Sequence, residues 1–423
     1  MTGISFQTVS MIGLGYIGLP TAAMFAARRL KVIGVDINQR AVDTINDGRI
    51  HIVEPELDMI VHSAVTQGFL RATTRPEPAD AFLIAVPTPF KDDHVPDLAF
   101  IEAAAQSIAP VLKRGDLVIL ESTSPVGTTE QMVQWLAAAR PDLGFPTPGA
   151  AVVDVNVAYC PERVLPGNVV RELVENDRII GGITPRCSER ATALYRTFVK
   201  GDLLTTSART AEMCKLTENA YRDVNIAFAN ELSLISDRLG IDVWELIRLA
   251  NRHPRVKILQ PGAGVGGHCI AVDPWFIVDQ SPRESRLIRT AREVNDGKPG
   301  WILDKVRNAM RQRGPRDSSG RDRVTIAVLG LAFKPNIDDL RESPALEVAE
   351  HLTREAGARL LFVEPNVTEL PRALETGRLV DLDTALSESD IVVVLVAHRE
   401  FADLRDRLAG ARCTVIDAVG VLS

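Results

Sequence analysis

The chain lacks the long apolar segments that would place it in a membrane. Its longest uninterrupted apolar run, Ile391–Ala397, has seven residues, whereas a helix needs about 20 to span a bilayer. The first residues show no charged-then-apolar leader and pass directly into the strand-like segment Thr8–Ile12. We therefore expect a cytoplasmic protein with no membrane partner.

Cysteine is scarce, and the five residues are odd in number and widely scattered. They are Cys160, Cys187, Cys214, Cys269 and Cys413. This pattern excludes a disulfide-stapled scaffold, and in a reducing compartment we expect thiols, one of which can have a chemical role.

An excess of basic residues is also missing. There are 48 Lys and Arg against 55 Asp and Glu, which leaves a net charge of −7. This balance argues against nonspecific nucleic-acid binding as the main role. Hydrophobic residues at 46% and charged residues at 24% are typical of a globular protein, and 423 residues suggest two or three domains.

Short apolar runs alternate with helix-like segments at both ends of the chain. This pattern predicts βαβ units and parallel sheets. Between them, Thr210–Leu239 contains no Gly or Pro and has apolar residues at helical spacing. The predicted fold is α/β, with two Rossmann-like parallel-sheet domains joined by a long central helix and a helical middle domain. The predicted domains are 1–205, 206–310 and 324–423, with Arg311–Arg323 as a linker.

The first strand is followed by the pattern Gly13-x-Gly15-x-x-Gly18, and a second strand ends in Asp36. The glycines permit a tight turn and the close approach of a pyrophosphate to a helix N-terminus. Asp36 can accept hydrogen bonds from an adenosine ribose and would repel a 2′-phosphate. This indicates NAD in preference to NADP. A glycine turn without a ligand is the alternative, and FAD is a lesser competitor.

Two further loops follow predicted strands, at the edge where this fold binds ligands. They are Val86–Pro89 and Glu121–Thr129. Their hydroxyl groups can contact a cofactor, or Thr128 and Thr129 can cap the helix that follows.

The segment Gly262–Pro274 places four glycines before Cys269 and a carboxylate, Asp273, four residues beyond it. Dense glycine lets the backbone approach a bulky ligand, although a buried structural cysteine or a His-Cys-x3-Asp zinc site are alternatives. On the long helix, Lys215, Asn219 and Arg222 share one face. This face is either a solvated polar stripe or the wall of a pocket.

Seven motifs in order carry a resemblance to a known family: GLGYIG, VPTP, ESTSPVGTT, CPERVLPGN, EMCKLTENAYR, GAGVGGHCIAVDP and GLAFKPNIDDLRESPA. The chain resembles the UDP-glucose/GDP-mannose dehydrogenases over nearly its whole length. The resemblance implies NAD binding by the first domain, dimerisation and substrate binding by the second, and UDP binding by the third. It also implies a homodimer joined through the central helix and a role in polysaccharide biosynthesis.

The resemblance further implies a four-electron oxidation of a sugar C6 alcohol to a carboxylate. Lys215 would move the proton, Cys269 would trap the aldehyde and form a thioester, and Glu162 or Asp273 would steer water. Catalytic roles are assigned to Cys269, Lys215, Asn219, Asp273, Glu162 and Thr123. Cofactor binding is assigned to Gly13, Gly15, Tyr16, Ile17, Gly18, Asp36, Arg40, Thr88 and Thr129. Substrate binding is assigned to Arg163, Val164, Lys215, Asn219, Arg222, His253, Arg255, Gly266, Phe333, Lys334 and Arg341, with Arg255 reaching the partner subunit. No metal is expected.

Three positions depart from the pattern of the UDP-glucose members. His268 precedes the cysteine where they carry an aromatic residue or serine, Val272 replaces a lysine, and Pro166 replaces a second glutamate. These departures favour UDP-N-acetyl-D-mannosamine as the substrate. UDP-N-acetylglucosamine, UDP-glucose and GDP-mannose remain alternatives. The alternative functions are those of a β-hydroxyacid dehydrogenase and of a non-catalytic NAD-binding protein.

Overall fold

The computed structural model describes residues 6–52, 54–91, 94–147, 152–164, 167–313, 324–355 and 357–423. Contacts divide the chain into two compact units, Met1–Glu218 and Asn219–Ser423. The longest helix, α8 (Ala208–Leu239), begins in the first unit and continues into the second.

The first unit contains an eight-stranded sheet whose central strands are buried on both faces, as is usual where helices cover a parallel sheet. Its strands are β1 (Thr8–Ile12), β2 (Lys31–Val35), β3 (Leu70–Thr73), β4 (Ala81–Ile84), β5 (Leu117–Leu120), β6 (Asn156–Tyr159), β7 (Arg178–Gly182) and β8 (Leu203–Ser207). The strand order is β3-β2-β1-β4-β5-β6-β7-β8. Neighbouring strands are parallel except at the junction of β6 and β7.

In the part of the chain that the structure describes, seven α-helices accompany this sheet before α8 begins. They are α1 (Gly18–Ala27), α2 (Gln39–Asn46), α3 (Leu57–Thr66), α4 (Ala99–Ile108), α5 (Thr128–Ala139), α6 (Val169–Glu175) and α7 (Pro185–Tyr195). At two of their starts, the residue that precedes the helix caps it with its own side chain. Asn38 accepts a hydrogen bond from the backbone of Arg40, and Thr184 accepts one from Cys187.

The second unit contains a five-stranded parallel sheet. Its strands are β9 (Val324–Leu329), β10 (Ala358–Val363), β11 (Arg378–Leu379), β12 (Ile391–Val394) and β13 (Thr414–Asp417). The strand order is β11-β10-β9-β12-β13. The helices of this unit after α8 are α9 (Val243–Ala250), α10 (Asp273–Gln280), α11 (Arg286–Arg313), α12 (Pro344–Arg354), α13 (Leu382–Glu388) and α14 (Leu404–Arg407).

The predicted fold class is confirmed. Both sheets have the strand order of a doubly wound fold around their first strands, and α8 covers the predicted long helix with two more residues at its start. The sequence pattern did not identify β3, β8 or β11, and it did not predict the reversal at β7. The predicted linker lies mostly outside the described residues, and so does Pro166. Among the described helices, none combines the length and hydropathy needed to cross a membrane.

Candidate active site

The three glycines at the start of α1 differ in their surroundings. Gly13 has φ +91° and donates its N–H to the Val35 carbonyl at 2.8 Å. A Cβ on Gly18 would lie 1.8 Å from the Gly13 carbonyl oxygen, so only glycine fits there. A Cβ on Gly15 would meet nothing within 4 Å. Gly15 and Tyr16 are exposed at this helix N-terminus, which leaves open space where a pyrophosphate can approach the backbone.

Asp36 is held in place at the end of β2. The backbone N–H of Leu14 donates to its Oδ2 and that of Asn38 to its Oδ1, both at 2.9 Å. The side chain remains half-exposed, and each carboxylate oxygen can accept a further hydrogen bond. Asp36 can therefore receive the hydroxyl groups of a ribose, and this loop fits NAD.

The threonines predicted at the cofactor are largely occupied by bonds within the first unit. Thr88 Oγ1 donates to the Thr123 carbonyl at 2.6 Å. Thr129 is fully buried, and its hydroxyl donates to Glu212 at 2.6 Å. Glu212 on α8 also accepts the N–H of Gly127 at 2.6 Å. A carboxylate from α8 thus caps α5, and the Thr129 hydroxyl serves this cap.

Glu162 belongs to a buried cluster that the sequence pattern did not predict. Arg178 Nη2 lies 2.8 Å from Glu162 Oε2, and both side chains are buried. The Arg178 guanidinium also stacks over the Tyr195 ring, 4.8 Å from its centroid, and Tyr195 donates to Glu121 at 2.5 Å. An arginine at the start of an otherwise apolar strand is the sequence signal that points to such a buried pair.

Burial governs the ionisation of this cluster. It raises the pKa of Glu121 to about 7, against the opposing effect of Arg178. It also raises the pKa of Cys160 to about 12. Because the reactive form of cysteine is the thiolate, Cys160 is a poor nucleophile.

Arg163 and Val164 lie beside this cluster. The Arg163 guanidinium pairs with Glu218 at 2.6 Å, and its Nη1 donates to the Asp177 carbonyl at 3.2 Å. Val164 packs partly buried against the core of the first unit. On α8, Lys215 is half-buried one turn after Ala211.

In the second unit, Asn219, Asp273 and Cys269 are linked by hydrogen bonds. Asn219 Nδ2 donates to Asp273 Oδ2 at 2.5 Å, and the backbone N–H of Asp273 donates to the Cys269 carbonyl at 2.8 Å. Asp273 is the first residue of α10, and Pro274 beside it suits a helix start. The Asp273 side chain is buried, whereas Cys269 is exposed. An exposed thiol is thus carried on a backbone that Asp273 holds in place.

Three of the four glycines before Cys269 lie close to another segment of the second unit. A Cβ on Gly266 would lie 2.1 Å from the Glu342 carbonyl oxygen, and one on Gly267 would lie 2.9 Å from the Phe333 ring. A Cβ on Gly264 would lie 2.9 Å from Pro344. Dense glycine at this point of the sequence predicts the approach of a bulky ligand. The structure explains these glycines by the close approach of this loop to residues 333–344.

The predicted substrate cations of the second unit differ in their surroundings. Arg222, His253 and Arg255 are exposed, and the backbone N–H of Arg255 donates to His253 Nδ1 at 3.3 Å. Lys334 Nζ lies 5.9 Å from the Phe333 ring centroid. Arg341 pairs with Asp339 at 2.7 Å.

His268 is affected by one of these cations. Burial, and then the charge of Arg341, lowers the pKa of His268. Among the described residues, His268, Cys269 and Asp273 form no group suited to a metal ion.

The dinucleotide loop and Asp36 fit the cofactor site of a NAD-dependent oxidoreductase. Three family models match the chain in order: the NAD binding domain of the UDP-glucose/GDP-mannose dehydrogenase family at residues 7–199, its central domain at 209–297 and its UDP binding domain at 327–423. The chain belongs to the UDP-glucose/GDP-mannose dehydrogenase family, whose members are NAD-dependent nucleotide-sugar dehydrogenases.

Relatives with two different sugar names are equally similar to the chain. The NDP-N-acetyl-D-galactosaminuronic acid dehydrogenase of Ralstonia nicotianae is 64% identical, over 99% of this chain and 97% of its own. The UDP-N-acetyl-D-mannosamine dehydrogenase of Salmonella typhi is also 64% identical, over 99% and 100%. A solved UDP-D-ManNAc dehydrogenase from Pyrococcus horikoshii is 39% identical, with a TM-score of 0.87 and coverage of 98% and 96%.

Proposed function

We propose that this enzyme oxidises UDP-N-acetyl-D-mannosamine at C6 to UDP-N-acetyl-D-mannosaminuronic acid. The observation that carries the proposal is the linked group of Asn219, Asp273 and Cys269, since a two-step oxidation to an acid needs a nucleophile that retains the aldehyde. His268 and Val272 support the choice of sugar, as does the relative of that name from Salmonella typhi.

The first step converts the C6 alcohol to an aldehyde. Bound NAD supplies a hydride acceptor for each of the two oxidations. The cofactor is held by Gly15, Asp36 and the N-terminus of α1. Tyr16 and Arg40, which follow Gly15 and Asp36 in the sequence, are exposed. Lys215 takes the hydroxyl proton, directly or through water, because an amine near a reacting alcohol can act as a general base.

The second step depends on Cys269. Its sulfur adds to the aldehyde carbon and gives a thiohemiacetal, which remains attached to the chain until its oxidation to a thioester. Asn219 and Lys215 can donate hydrogen bonds to the oxygen that gains charge. Asn219 is supported in this role by its bond to Asp273, which fixes the orientation of its amide.

Hydrolysis of the thioester requires a positioned water molecule. Asp273 and Glu162 are the carboxylates proposed to orient it, and Thr123 is assigned to the same catalytic group. The buried ion pair with Arg178 holds the Glu162 carboxylate in a defined position.

The diphosphate of the substrate calls for cations, and arginine suits this role because its donors match phosphate oxygens. We assign it to Arg163, Arg222, His253, Arg255, Lys334 and Arg341, with Gly266, Phe333 and Val164 as further contacts. Arg222 and Arg255 are exposed and available, whereas Arg163 would have to exchange its bond to Glu218 for the substrate.

The same proposal includes a homodimer joined through α8. Tyr221, Phe228 and Ile235 recur every seven residues on this helix and are 71%, 54% and 46% exposed. Such an apolar stripe on a long helix suits a second helix. Light scattering after size-exclusion chromatography should give twice the chain mass. Aspartate in place of Phe228 should give the mass of one chain, and a monomeric wild type would overturn this part.

A panel of nucleotide sugars tests the proposed reaction. With UDP-N-acetyl-D-mannosamine we expect two NADH per sugar and a carboxylate product. UDP-N-acetyl-D-galactosamine is included because an equally similar relative carries the galactosaminuronic name, together with UDP-N-acetylglucosamine, UDP-glucose and GDP-mannose. Higher kcat/KM with another sugar would overturn the substrate. One NADH per sugar would indicate a simple alcohol dehydrogenase, and none with any sugar a non-catalytic protein.

A further inference from the structure

A chain of buried polar side chains connects α11 and α8 to the glycine loop before Cys269. Arg292 Nη1 donates to Asp223 Oδ1 at 2.7 Å, and Asn295 Nδ2 donates to the same oxygen at 2.8 Å. Asn230 Nδ2 donates to Asn295 Oδ1 at 2.8 Å, and the backbone N–H of Gly262 donates to Asn230 Oδ1 at 2.9 Å. We call these four side chains the amide relay.

The relay has a defined direction. A carboxylate only accepts hydrogen bonds, so Asp223 requires the NH₂ group of Asn295 to face it. The Asn295 oxygen must then face Asn230, which in turn presents its NH₂ group to Asn295. Only the Asn230 oxygen is left to accept from Gly262. The two acceptors of Asp223, its carboxyl oxygen and its backbone carbonyl, therefore determine which atom of Asn230 meets the loop.

The relay is shielded from water. Asp223, Asn230 and Asn295 are 0% exposed and Arg292 is 2% exposed. A buried amide that loses its partner pays the full cost of its desolvation. The orientation of each amide is thus strongly determined, and the Gly262 N–H is held at a defined position.

The loop between Gly262 and Cys269 is fixed at both ends. Asn230 holds its first residue, and the N–H of Asp273 holds the Cys269 carbonyl. Between them, a Cβ on Gly264 would lie 3.2 Å from the Asn295 carbonyl oxygen, so α11 also contacts the loop directly.

We propose that Asn230 is a positioning residue for Cys269. It acts through the Gly262 backbone and sets the conformation in which the loop presents the thiol. The inference rests on the proposed function only for the catalytic role of Cys269, since the contact between Asn230 and the loop is independent of the reaction.

Ser233 offers a matched control. It lies one turn after Asn230 on α8, is buried, and accepts a hydrogen bond from Lys298 on α11 at 2.8 Å. Ser233→Ala therefore removes a buried polar contact between the same two helices without removing a side chain that bonds to the loop.

Hydrogen exchange of the intact protein, read by mass spectrometry on peptides covering 262–269, reports on the loop directly. We expect Asn230→Ala to accelerate exchange in this segment about tenfold or more, with Ser233→Ala close to wild type. Turnover of the proposed sugar should fall at least about tenfold in Asn230→Ala, because small displacements of a reacting group are costly. The KM for NAD should stay within about twofold.

Two further variants separate hydrogen bonding from packing. In Asn230→Asp, a buried carboxyl that stays protonated can accept from Gly262 and donate to Asn295, so exchange should approach that of wild type. In Asn230→Ser, the side chain is one bond shorter than that of asparagine, so its hydroxyl cannot reach Gly262. Hydrogen exchange in the loop should therefore be fast. This milder variant decides the matter if Asn230→Ala does not fold.

Unchanged loop exchange in Asn230→Ala and Asn230→Ser would overturn the proposal, and so would equal acceleration by Ser233→Ala. Fast exchange with normal turnover would also overturn it, since the loop would then not position a reacting group. A wild-type enzyme that forms no carboxylate would instead overturn the proposed function, while the exchange measurements would still test the contact with Gly262.

Discussion

Asp36 and Glu364 occupy equivalent places in the two sheets, but only Asp36 remains accessible. Asp36 follows β2 and accepts the N–H of Leu14 at 2.9 Å, while Glu364 follows β10 and accepts the N–H of Leu331 at 2.7 Å. Each carboxylate also accepts the N–H two residues further on, that of Asn38 or Asn366. The two loops therefore have the same pattern of hydrogen bonds.

The glycines that precede these leucines are also equivalent. Gly13 has φ +91° and Gly330 has φ +90°, and each donates its N–H at 2.8 Å to the last residue of the neighbouring strand. The difference lies at His398, whose Nε2 is 3.0 Å from Glu364 and whose Nδ1 accepts the N–H of Asn336 at 2.9 Å. His398 fills the place where a ribose would bond to Glu364, so the second sheet lacks this feature of a dinucleotide site.

We expect NAD to be preferred over NADP because of Asp36. Two like charges about 4 Å apart repel by roughly 1–4 kcal/mol at effective dielectric constants of 80 to 20, which corresponds to at least a several-fold preference in kcat/KM. Asp36→Ser should reduce this preference. Asp43→Ser, on the adjacent helix α2, is the control and should keep it. Equal use of both cofactors by the wild type would contradict the assignment.

Glu364 should contribute to stability above pH 4.5 and lose that contribution in acid. Burial alone would raise its pKa, but hydrogen bonds from His398 and from the Leu331 backbone outweigh burial and lower the pKa to about 2. A carboxyl with a depressed native pKa binds fewer protons when folded, so its stabilisation declines from pH 4.5 towards pH 2. The difference in pKa corresponds to about 3 kcal/mol at most.

Thermal unfolding measured between pH 7 and pH 3 checks this expectation. Glu364→Gln should lower Tm at pH 7, and the gap to wild type should narrow as the pH falls below 4.5. Asp381→Asn provides a surface control, because Asp381 is an exposed helix cap. A gap that stays constant down to pH 3 would show that the charge of Glu364 does not stabilise the fold.

Lys215→Ala should lower kcat by about 10²-fold or more while changing the KM for NAD little, because general acid–base catalysis contributes about 10²–10⁴-fold. Lys215→Arg should lower kcat to a similar extent, since a guanidinium does not give up its proton. Lys200→Ala, at an exposed lysine of the first unit, should retain normal turnover. Near-normal turnover in both Lys215 variants would remove this residue from the catalytic group.

The parts of the fold and site that could be predicted depend on local sequence. The glycine pattern with Asp36 and the long helix carrying Lys215 are set by spacing within a few turns or by one βαβ unit. Short or exposed strands carry a weaker signal. β8 (Leu203–Ser207) contains three hydroxyl residues, and its side chains are largely exposed, so no apolar run indicated it.

The remaining features depend on contacts between distant residues. Arg178 pairs with Glu162 from another strand end, and Asn230 meets Gly262 from another helix. No spacing rule predicts either pair. The glycines before Cys269 show the same limit, because a glycine needed beside Glu342 cannot be distinguished from one needed beside a ligand until the partner segment is known.

Cys269 provides the sharpest test of the chemistry. Cys269→Ala should abolish formation of the uronic acid, since no nucleophile then retains the aldehyde. The first oxidation needs no thiol, so the variant can still interconvert alcohol and aldehyde. Cys269→Ser should react slowly, because a hydroxyl is a weaker nucleophile than a thiolate at neutral pH, and an ester adduct should accumulate. Intact-protein mass spectrometry after incubation with the sugar and NAD would detect this adduct.

Cys160 is the matched control for Cys269. It is fully buried, and burial raises its pKa to about 12, so Cys160→Ala should leave the yield of two NADH per sugar unchanged. The mass increase in Cys269→Ser should map to the peptide containing residue 269 and require both substrates. If Cys269→Ala still gives two NADH and a carboxylate per sugar, no thioester lies on the pathway. The exposed position of Cys269 and its link to Asp273 would then need a non-covalent explanation, in which the aldehyde is hydrated before its oxidation.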